Sequence, residues 1–221
     1  MLVCIVISID YADLLAATLP YNRSLFDHVY VVTEERDAAT LNVCAAHDCT
    51  VLLTTETKAR CGERDASFNR AGLLHQAQLY VHAAHPDAWI ALLDADIVLP
   101  SQLAALDRST WNPAFLYGLA RCECETLEEW EGGVVKERPY GEDPGNTIYG
   151  YFQLYHDKTK MNAVWSENAG YCDIEFSDQF GSNRAKVPSA DPLGCIHLGY
   201  GTTDWRGRVS PRWGAGQTSK N

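Results

Sequence analysis

The sequence has no apolar run that approaches the roughly 18 residues needed to cross a bilayer. Its apolar start, residues 1–9, has neither a positively charged region nor a small-residue cleavage site, so it is not typical of a signal peptide. The β-branched residues of this stretch favour a first strand instead. These absences predict a cytoplasmic protein that is neither exported nor in contact with a membrane.

Basic residues are also scarce, because 18 lysines and arginines stand against 29 aspartates and glutamates, which gives a formal net charge of -11. An acidic surface repels phosphate backbones and anionic lipid headgroups. A nucleic-acid partner is therefore disfavoured without being excluded. Several of the basic residues lie late in the chain, at Arg206, Arg208, Arg212 and Lys220, where a local basic site could form.

The paired C-x-x-C spacing of zinc knuckles is absent, although the chain has eight cysteines. Cys44, His47, Cys49 and Cys61 form the cluster that raises the question of a structural zinc ion. Other cysteines, such as Cys4, lie in apolar strand-like runs, where a reduced cysteine acts as a small hydrophobic residue. We therefore expect reduced thiols, and a zinc module is the less favoured interpretation.

Apolar strand-like runs alternate with helical patterns in the first half of the chain. Strands are predicted at residues 2–9, 28–32, 50–53 and 89–93. Helices are predicted through Leu14, Leu15, Leu19 and Phe26, at about 35–46, and at about 67–84 with a buried stripe of Phe68, Leu73, Leu74, Ala77, Leu79 and Val81. Strands separated by helices predict an α/β fold with a mostly parallel central sheet flanked by helices.

The regular pattern breaks after residue 118. Residues 121–146 carry a dense acidic run from Glu123 to Glu131 and then a turn-prone segment. This composition predicts a long excursion, either a solvated loop or an acceptor-binding lid. Regular structure is predicted to return with a strand over 149–155, in which Tyr149, Tyr151 and Gln153 lie on one face. Helices are predicted from about 157 and near 173–181, and a last strand is predicted to end at His197.

Two carboxylates follow the fourth predicted strand, because Asp94 and Asp96 flank Ala95 directly after the apolar residues 89–93. Residues i and i+2 of an extended segment point the same way, so both carboxylates are expected at the end of the strand. Open α/β sheets bind ligands at this edge, and oxygen ligands suit Mg²⁺ or Mn²⁺. The structural alternative is that aspartate only ends the strand and caps the short helix expected at Pro100.

The stretch from Leu92 to Pro100 resembles the Asp-x-Asp segment of GT-A fold glycosyltransferases, especially the inverting family-2-like group. Three further stretches agree in the same order: the first strand and helix with Val31-Val32-Thr33-Glu34, then Phe68-Asn69-Arg70-Ala71-Gly72-Leu73, and finally Ile196-His197-Leu198-Gly199 with Trp205-Arg206-Gly207-Arg208. The resemblance covers about residues 1–208 and implies a single GT-A (Rossmann-like) domain. Its expected parts are a nucleotide-sugar-binding half at 1–100, an acceptor half at 101–209 and a flexible tail at 210–221.

The resemblance also implies roles for individual residues. Asp96 and His197 would bind the cation, and Asp94 would contact the donor ribose or reach the metal through water. Contacts with the nucleotide-sugar are implied for Ser8, Thr33, Glu34, Asn69, Arg70, Asp94, Ala95, Trp205, Arg206 and Arg208.

An inverting transfer also needs a base for the acceptor hydroxyl. Residues 173–178 resemble the acidic segment that supplies this base, and Asp173 is the first choice, with Asp178 and Glu175 behind it. N-capping of the following helix is the structural alternative for Asp173.

The implied activity is a metal-dependent glycosyltransferase of the hexosyl- or pentosyltransferase class, with a UDP-sugar as the expected donor. A glycan, a small molecule, a protein or a hydroxymethylated base of viral DNA could be the acceptor. A sugar-phosphate nucleotidyltransferase is an alternative, but such enzymes usually have a Gly-rich basic loop after the first strand, and residues 8–13 are acidic and lack glycine. A non-catalytic zinc or interaction module is the third hypothesis.

Overall fold

The computed structural model describes residues 1–54, 69–137, 148–164, 171–189, 193–199 and 212–214. Several residues singled out above lie outside these ranges, namely Cys61, Phe68, Trp205, Arg206, Arg208 and Lys220, as does most of the expected tail at 210–221. No helix in the described ranges is long and apolar enough to span a membrane.

The described elements follow in chain order. They are β1 (Leu2–Ile7), α1 (Ala12–Asn22), β2 (His28–Thr33), α2 (Ala38–Ala46), β3 (Thr50–Leu53), α3 (Arg70–Ala84), β4 (Trp89–Asp94), β5 (Ile97–Val98), β6 (Leu116–Gly118), β7 (Ala120–Cys124), α4 (Leu127–Glu131), β8 (Lys136–Glu137), β9 (Phe152–Tyr155), α5 (Cys172–Asp178), β10 (Arg184–Lys186) and β11 (Gly194–Leu198). Short 3-10 helices occupy Arg23–Leu25, Ser101–Ala105 and Arg108–Thr110.

The main sheet has seven strands in the order β10-β6-β9-β4-β1-β2-β3. Strand β1 pairs in parallel with β2 and β4, and β2 pairs in parallel with β3. Strand β9 is antiparallel to β4 and β6, between which it lies. The predicted α/β fold with a mostly parallel sheet is therefore confirmed. Because Ile7 pairs with both Val32 and Asp94, the ends of β1, β2 and β4 meet at one edge.

Helices cover both faces of the main sheet, which is why β1 and β4 are almost continuously apolar. On one face, Leu15 and Leu19 of α1 pack in a cluster with Cys4 and Leu93. On the other face, the buried side chains of α3 pack in a second cluster, made up of Leu73, Leu74, Ala77 and Val81 with Ile5, Ile90 and Leu92 of the sheet. Leu79 is 56% exposed because it lies on the opposite side of α3, so its predicted burial is wrong.

A smaller sheet has four strands in the order β5-β11-β7-β8. Strand β5 begins at Ile97, directly after Asp96. Strand β11 pairs antiparallel with β5 and parallel with β7, so that His197 pairs with both Ile97 and Glu123. This sheet therefore brings a late histidine to the turn that carries the two aspartates.

Three predictions for the second half of the chain are wrong. Residues 121–137 were expected in the excursion at 121–146 but contribute to β7, α4 and β8, because β7 pairs with β11 on one side and β8 on the other. Residues 156–164 contain no helix. Strand β9 begins only at Phe152, so Tyr149 and Tyr151 precede it and do not share a strand face with Gln153.

Candidate active site

The end of β4 and the turn to β5 carry the two predicted carboxylates, because Asp94 is the last residue of β4 and Asp96 directly precedes β5. The backbone of this segment is held by three other parts of the chain. The Asp94 N–H donates to the Tyr151 carbonyl at 3.2 Å, the Leu198 N–H donates to the Asp96 carbonyl at 2.8 Å, and the Thr18 hydroxyl donates to the Ala95 carbonyl at 2.8 Å. The positions of both carboxylates are thus set by the surrounding fold.

Asp96 faces His197 on one side of this turn. The Nε2 atom of His197 lies 3.2 Å from Oδ2 of Asp96, and its Nδ1 atom donates to Oε2 of Glu123 at 2.6 Å. The second oxygen of Asp96, Oδ1, is buried and has no hydrogen-bond partner in the described part of the chain. A buried carboxylate oxygen without a partner is costly, and a bound cation would compensate for it.

The carboxylates of Asp96 and Glu123 favour a positive charge on the His197 imidazole that lies between them. Burial by itself lowers the pKa of His197, but Asp96 and then Glu123 outweigh it and raise the pKa to about 10. A divalent cation held between Asp96 and His197 would replace the proton on Nε2 as the source of positive charge.

The residues present fit a hard divalent cation with incomplete protein coordination. Two ligands at about 2.1 Å from one octahedral ion are roughly 3 Å apart, and Asp96 and His197 show 3.2 Å between their facing atoms. The described ranges contain no group of three or more His, Cys, Asp or Glu side chains that could hold a metal ion. Mg²⁺ and Mn²⁺ usually take their remaining ligands from water and substrate phosphates.

Asp94 faces Arg70 on the other side of the turn. Nη2 of Arg70 donates to Oδ1 of Asp94 at 2.7 Å and to the Gly150 carbonyl at 3.0 Å, while Nη1 donates to Sγ of Cys172 at 3.5 Å. Burial opposes the charge of Arg70, yet Asp94 raises the pKa of the guanidinium above its usual range, so it stays protonated. Burial raises the pKa of Asp94, and Arg70 opposes that shift.

Arg70 is placed by the start of α3, which Asn69 caps. Oδ1 of Asn69 accepts from the Gly72 N–H at 3.1 Å, and its Nδ2 donates to the Val164 carbonyl at 3.1 Å. Asn69 is 8% exposed. Both ends of this amide are therefore occupied by the helix cap and the neighbouring chain.

Asp173 lies next to Arg70, across Gly150. Oδ2 of Asp173 accepts from the Gly150 N–H at 2.7 Å, and its carbonyl accepts from Gln153 Nε2 at 2.9 Å. The N-cap of α5 is Tyr171, so the capping alternative for Asp173 is wrong, because the helix begins one residue before it. The other candidate bases are placed differently, since Glu175 is exposed and Asp178 pairs with Arg184 at 3.1 Å.

The predicted nucleotide-binding residues at the ends of β1 and β2 are buried. Ser8 and Thr33 are both 0% exposed. The Ser8 hydroxyl lies 3.3 Å from that of Thr40, and Thr33 Oγ1 has no partner in the described ranges. Glu34 is 6% exposed and forms an ion pair with Arg36. These three residues line the same sheet edge as Asp94.

Sequence reasoning missed Arg121 and Glu123, because the acidic composition of 121–146 suggested a loop. Arg121 and Glu123 alternate with Cys122 and Cys124 in β7. That alternation of polar and small apolar residues was the available signal for a half-buried strand.

The cysteine cluster gives no support to a thiolate site in the described ranges. Cys44 and Cys49 are free thiols. Burial raises the pKa of Cys44 to about 12, which opposes the thiolate form that a zinc ion requires.

Comparison with known proteins identifies solved structures that have a similar fold. No protein-family model matches the chain, and no curated protein matches it. The structure of mannosyl-3-phosphoglycerate synthase from Rubrobacter xylanophilus matches 90% of this chain and 68% of its own, with a TM-score of 0.54 and 16% identity. A glucosyl-3-phosphoglycerate synthase from Mycobacterium tuberculosis, in complex with Mn²⁺, UDP and glucosyl-3-phosphoglycerate, matches 89% of this chain and 71% of its own, with a TM-score of 0.52 and 13% identity. At these identities the likeness shows the GT-A-like fold alone.

Proposed function

We propose that this chain is a metal-dependent glycosyltransferase that transfers a sugar from a nucleotide-sugar, with UDP as the expected nucleotide, to a hydroxyl acceptor. The observation that carries the proposal is Asp96 at the carboxyl end of β4. Its Oδ2 lies 3.2 Å from His197 Nε2, and its Oδ1 is buried without a hydrogen-bond partner in the described ranges. The similar fold of a synthase whose structure contains Mn²⁺ and UDP supports it.

Asp96 and His197 would hold Mn²⁺ or Mg²⁺, with Asp94 beside them. When bound, the cation would act as a Lewis acid for the departing nucleoside diphosphate. Arg70 keeps Asp94 in place through its 2.7 Å contact, which leaves Oδ2 of Asp94 for the ribose or for a metal-bound water. The side chain of Asp94 is 40% exposed, so a ligand can reach it.

Asp173 is our choice for the base of an inverting transfer. Its Oδ2 is occupied by the Gly150 N–H, so Oδ1 is the atom that we assign to the acceptor proton. Gly150 contacts both Asp173 and Arg70, and Arg70 contacts Asp94; this short series of contacts supports the assignment of Asp173. Glu175 and Asp178 have no such connection in the described contacts.

The remaining donor contacts stay predictions. Ser8, Thr33 and Glu34 lie at the expected edge, whereas Trp205, Arg206 and Arg208 lie outside the described residues. The geometry of Asn69 supports a role in capping α3. Donor sugar and acceptor class also stay predictions, and the formal charge of -11 disfavours a nucleic-acid acceptor.

The test is a panel of nucleotide-sugars with Mn²⁺, in which release of nucleoside diphosphate is measured. Loss of a metal ligand should remove several kcal/mol of transition-state stabilisation, so we expect Asp96→Ala to lower donor turnover by roughly 10³-fold. Asp87→Ala is the matched control, because Asp87 is exposed and lies before the opposite end of β4. Full activity of Asp96→Ala would contradict the proposal.

Two other outcomes would favour the alternative functions. Release of pyrophosphate from a nucleoside triphosphate would indicate a nucleotidyltransferase. Stoichiometric thiol-bound zinc in the purified protein, without any response to nucleotide-sugars, would indicate a zinc module.

A further inference from the structure

Glu123 contacts His197 on the side of the imidazole ring that faces away from Asp96. Oε2 of Glu123 accepts from His197 Nδ1 at 2.6 Å, and Oε1 forms an ion pair with Arg121 Nη2 at 2.9 Å. The side chains of Glu123 and His197 are 14% and 11% exposed. Both carboxylate oxygens are thus engaged, one by His197 and the other by Arg121, within a mostly buried contact.

Arg121 in turn is fixed by an aromatic ring. Its guanidinium carbon lies 5.0 Å from the ring centroid of Tyr151, a distance at which a cation and an aromatic face attract each other. Tyr151 is 7% exposed. The contacts therefore form a chain that runs from Tyr151 through Arg121 and Glu123 to His197, and ends at Asp96.

The strand register explains why these side chains meet. Glu123 and His197 are paired residues of the parallel strands β7 and β11, so their side chains project from the same face. Arg121 precedes Glu123 by two residues and shares that face. The arrangement is therefore a property of the sheet, and it does not depend on a loop conformation.

A hydrogen bond from Nδ1 to a carboxylate determines which imidazole nitrogen can bind a metal. The proton stays on Nδ1, so the lone pair of the neutral ring lies on Nε2. Nε2 is the atom that faces Asp96 at 3.2 Å. The contact with Glu123 thus fixes both the tautomer and the ring orientation that a cation between Asp96 and His197 needs.

We propose that Glu123 is a positioning residue that holds His197 ready to bind a divalent cation, and that Arg121 and Tyr151 hold Glu123 for this task. The inference rests on the proposed function, because it concerns the same cation site. It adds residues behind that site, on a strand whose acidic surroundings in the sequence suggested a solvated loop or an acceptor-binding lid.

The test measures the affinity of the full chain for Mn²⁺ by electron paramagnetic resonance of the free ion. Loss of a carboxylate that orients a metal-binding histidine typically weakens metal binding by about 10–100-fold, which we expect for Glu123→Ala. The side chain in Glu123→Gln has one acceptor oxygen, whereas both oxygens of Glu123 make contacts, so we expect an intermediate loss of Mn²⁺ affinity. Glu125→Gln is the matched control, because Glu125 follows β7, is 44% exposed and pairs with Lys136.

A spectroscopic measurement distinguishes the loss of the His197 orientation from two other effects of the substitution, which are the loss of a negative charge and the loss of folding. Pulsed resonance detects the imidazole nitrogen on bound Mn²⁺, and His197→Ala gives the signal without that nitrogen. We expect the nitrogen coupling to weaken in both Glu123 variants and to persist in Glu125→Gln. Urea unfolding identifies a variant that is not folded; if Glu123→Ala fails to fold, Glu123→Gln decides the matter.

The outcomes distinguish this inference from the proposed function. If Asp96→Ala weakens Mn²⁺ binding but neither Glu123 variant changes the affinity or the nitrogen coupling, the positioning role is overturned and the cation site stands. If the wild-type protein binds no Mn²⁺, or if Asp96→Ala changes nothing, the cation site itself fails and the role of Glu123 fails with it.

Discussion

Gly150 is the position at which one added carbon atom perturbs the proposed site most directly. It lies in the turn before β9, donates its N–H to Asp173 and accepts from Arg70 through its carbonyl. Its φ is not in the left-handed region, so alanine can adopt the same backbone conformation. The effect of Gly150→Ala is therefore steric.

The size of the effect follows from the distances to the added Cβ. It would lie 2.5 Å from Cβ of Asp173, 2.9 Å from Oδ2 of Asp173 and 3.0 Å from Nη1 of Arg70. Carbon atoms in contact prefer about 3.5–4.0 Å, so Asp173 has to move by about 1 Å. Such overpacking costs about 1–3 kcal/mol, and a displacement of about 1 Å at a reacting group lowers the rate by about 10²-fold.

The assay combines kinetics and stability. We expect Gly150→Ala to lower kcat by about 10²-fold with the donor identified in the nucleotide-sugar panel, and to lower the urea midpoint. Mn²⁺ affinity should stay unchanged, because Gly150 does not contact Asp96 or His197 in the described structure. Gly194→Ala is the matched control, because the nearest atom to its added Cβ is 3.7 Å away.

The control removes a second effect of the substitution. Alanine restricts the unfolded chain and thereby stabilises a protein by about 0.4–1 kcal/mol where the native backbone accepts it. This contribution is common to both variants, so their difference reports the clash. If Gly150→Ala has the kcat of the wild type and the same urea midpoint as Gly194→Ala, the contact between Gly150 and Asp173 is not part of the catalytic site.

Two further predictions concern groups around the site. Arg70→Lys keeps the charge, but the single ammonium group of lysine cannot reach Asp94 and the backbone together as the guanidinium does. Loss of a charged hydrogen bond costs about 1.5–3 kcal/mol. We therefore expect kcat/KM for the donor to fall roughly 10–100-fold. Gln78→Leu removes the partner of the buried Asn162 N–H, which donates to Gln78 at 2.9 Å. It also removes the amide that donates to the Tyr155 hydroxyl at 2.6 Å, while that hydroxyl keeps His82 at 3.3 Å. We expect the free energy of unfolding in urea to fall by about 1–3 kcal/mol.

Each of these predictions has a clear contradiction. Wild-type kcat/KM in Arg70→Lys would show that the fork of the guanidinium is not needed to place Asp94. An unchanged free energy of unfolding in Gln78→Leu would show that water or a rearranged side chain satisfies Tyr155 and Asn162.

The first four strands could be predicted because their signals are local. Residues 50–53 were predicted with the observed bounds of β3, and β1, β2 and β4 differ from their predicted bounds by one or two residues. Each is a short apolar run between turn signals, and helices on both faces of the sheet keep those runs apolar. The location of Asp94 at a strand end followed from the same local pattern.

The second half could not be predicted in the same way, because its strands depend on distant partners. β7 is stabilised by β11, whose His197 lies 74 residues after Glu123. Glu123 looks like part of a solvated acidic run until that pairing is known. Likewise, nothing in residues 152–155 indicates that β9 inserts antiparallel between β4 and β6.

The amino-acid sequence by itself determined the α/β class, the alternation of strands and helices up to residue 100, and the two carboxylates at the carboxyl end of β4. Apolar periodicity and strand-end chemistry depend on neighbouring residues, so they can be read along the chain. Only the tertiary structure decided that Asp94 pairs with Arg70 while Asp96 faces His197, and that Glu123 lies behind that histidine. Those contacts join residues that are far apart in the chain. The pairing of β11 with β5 and β7 brings His197 to Asp96 and Glu123, and the packing of α3 on the sheet brings Arg70 to Asp94.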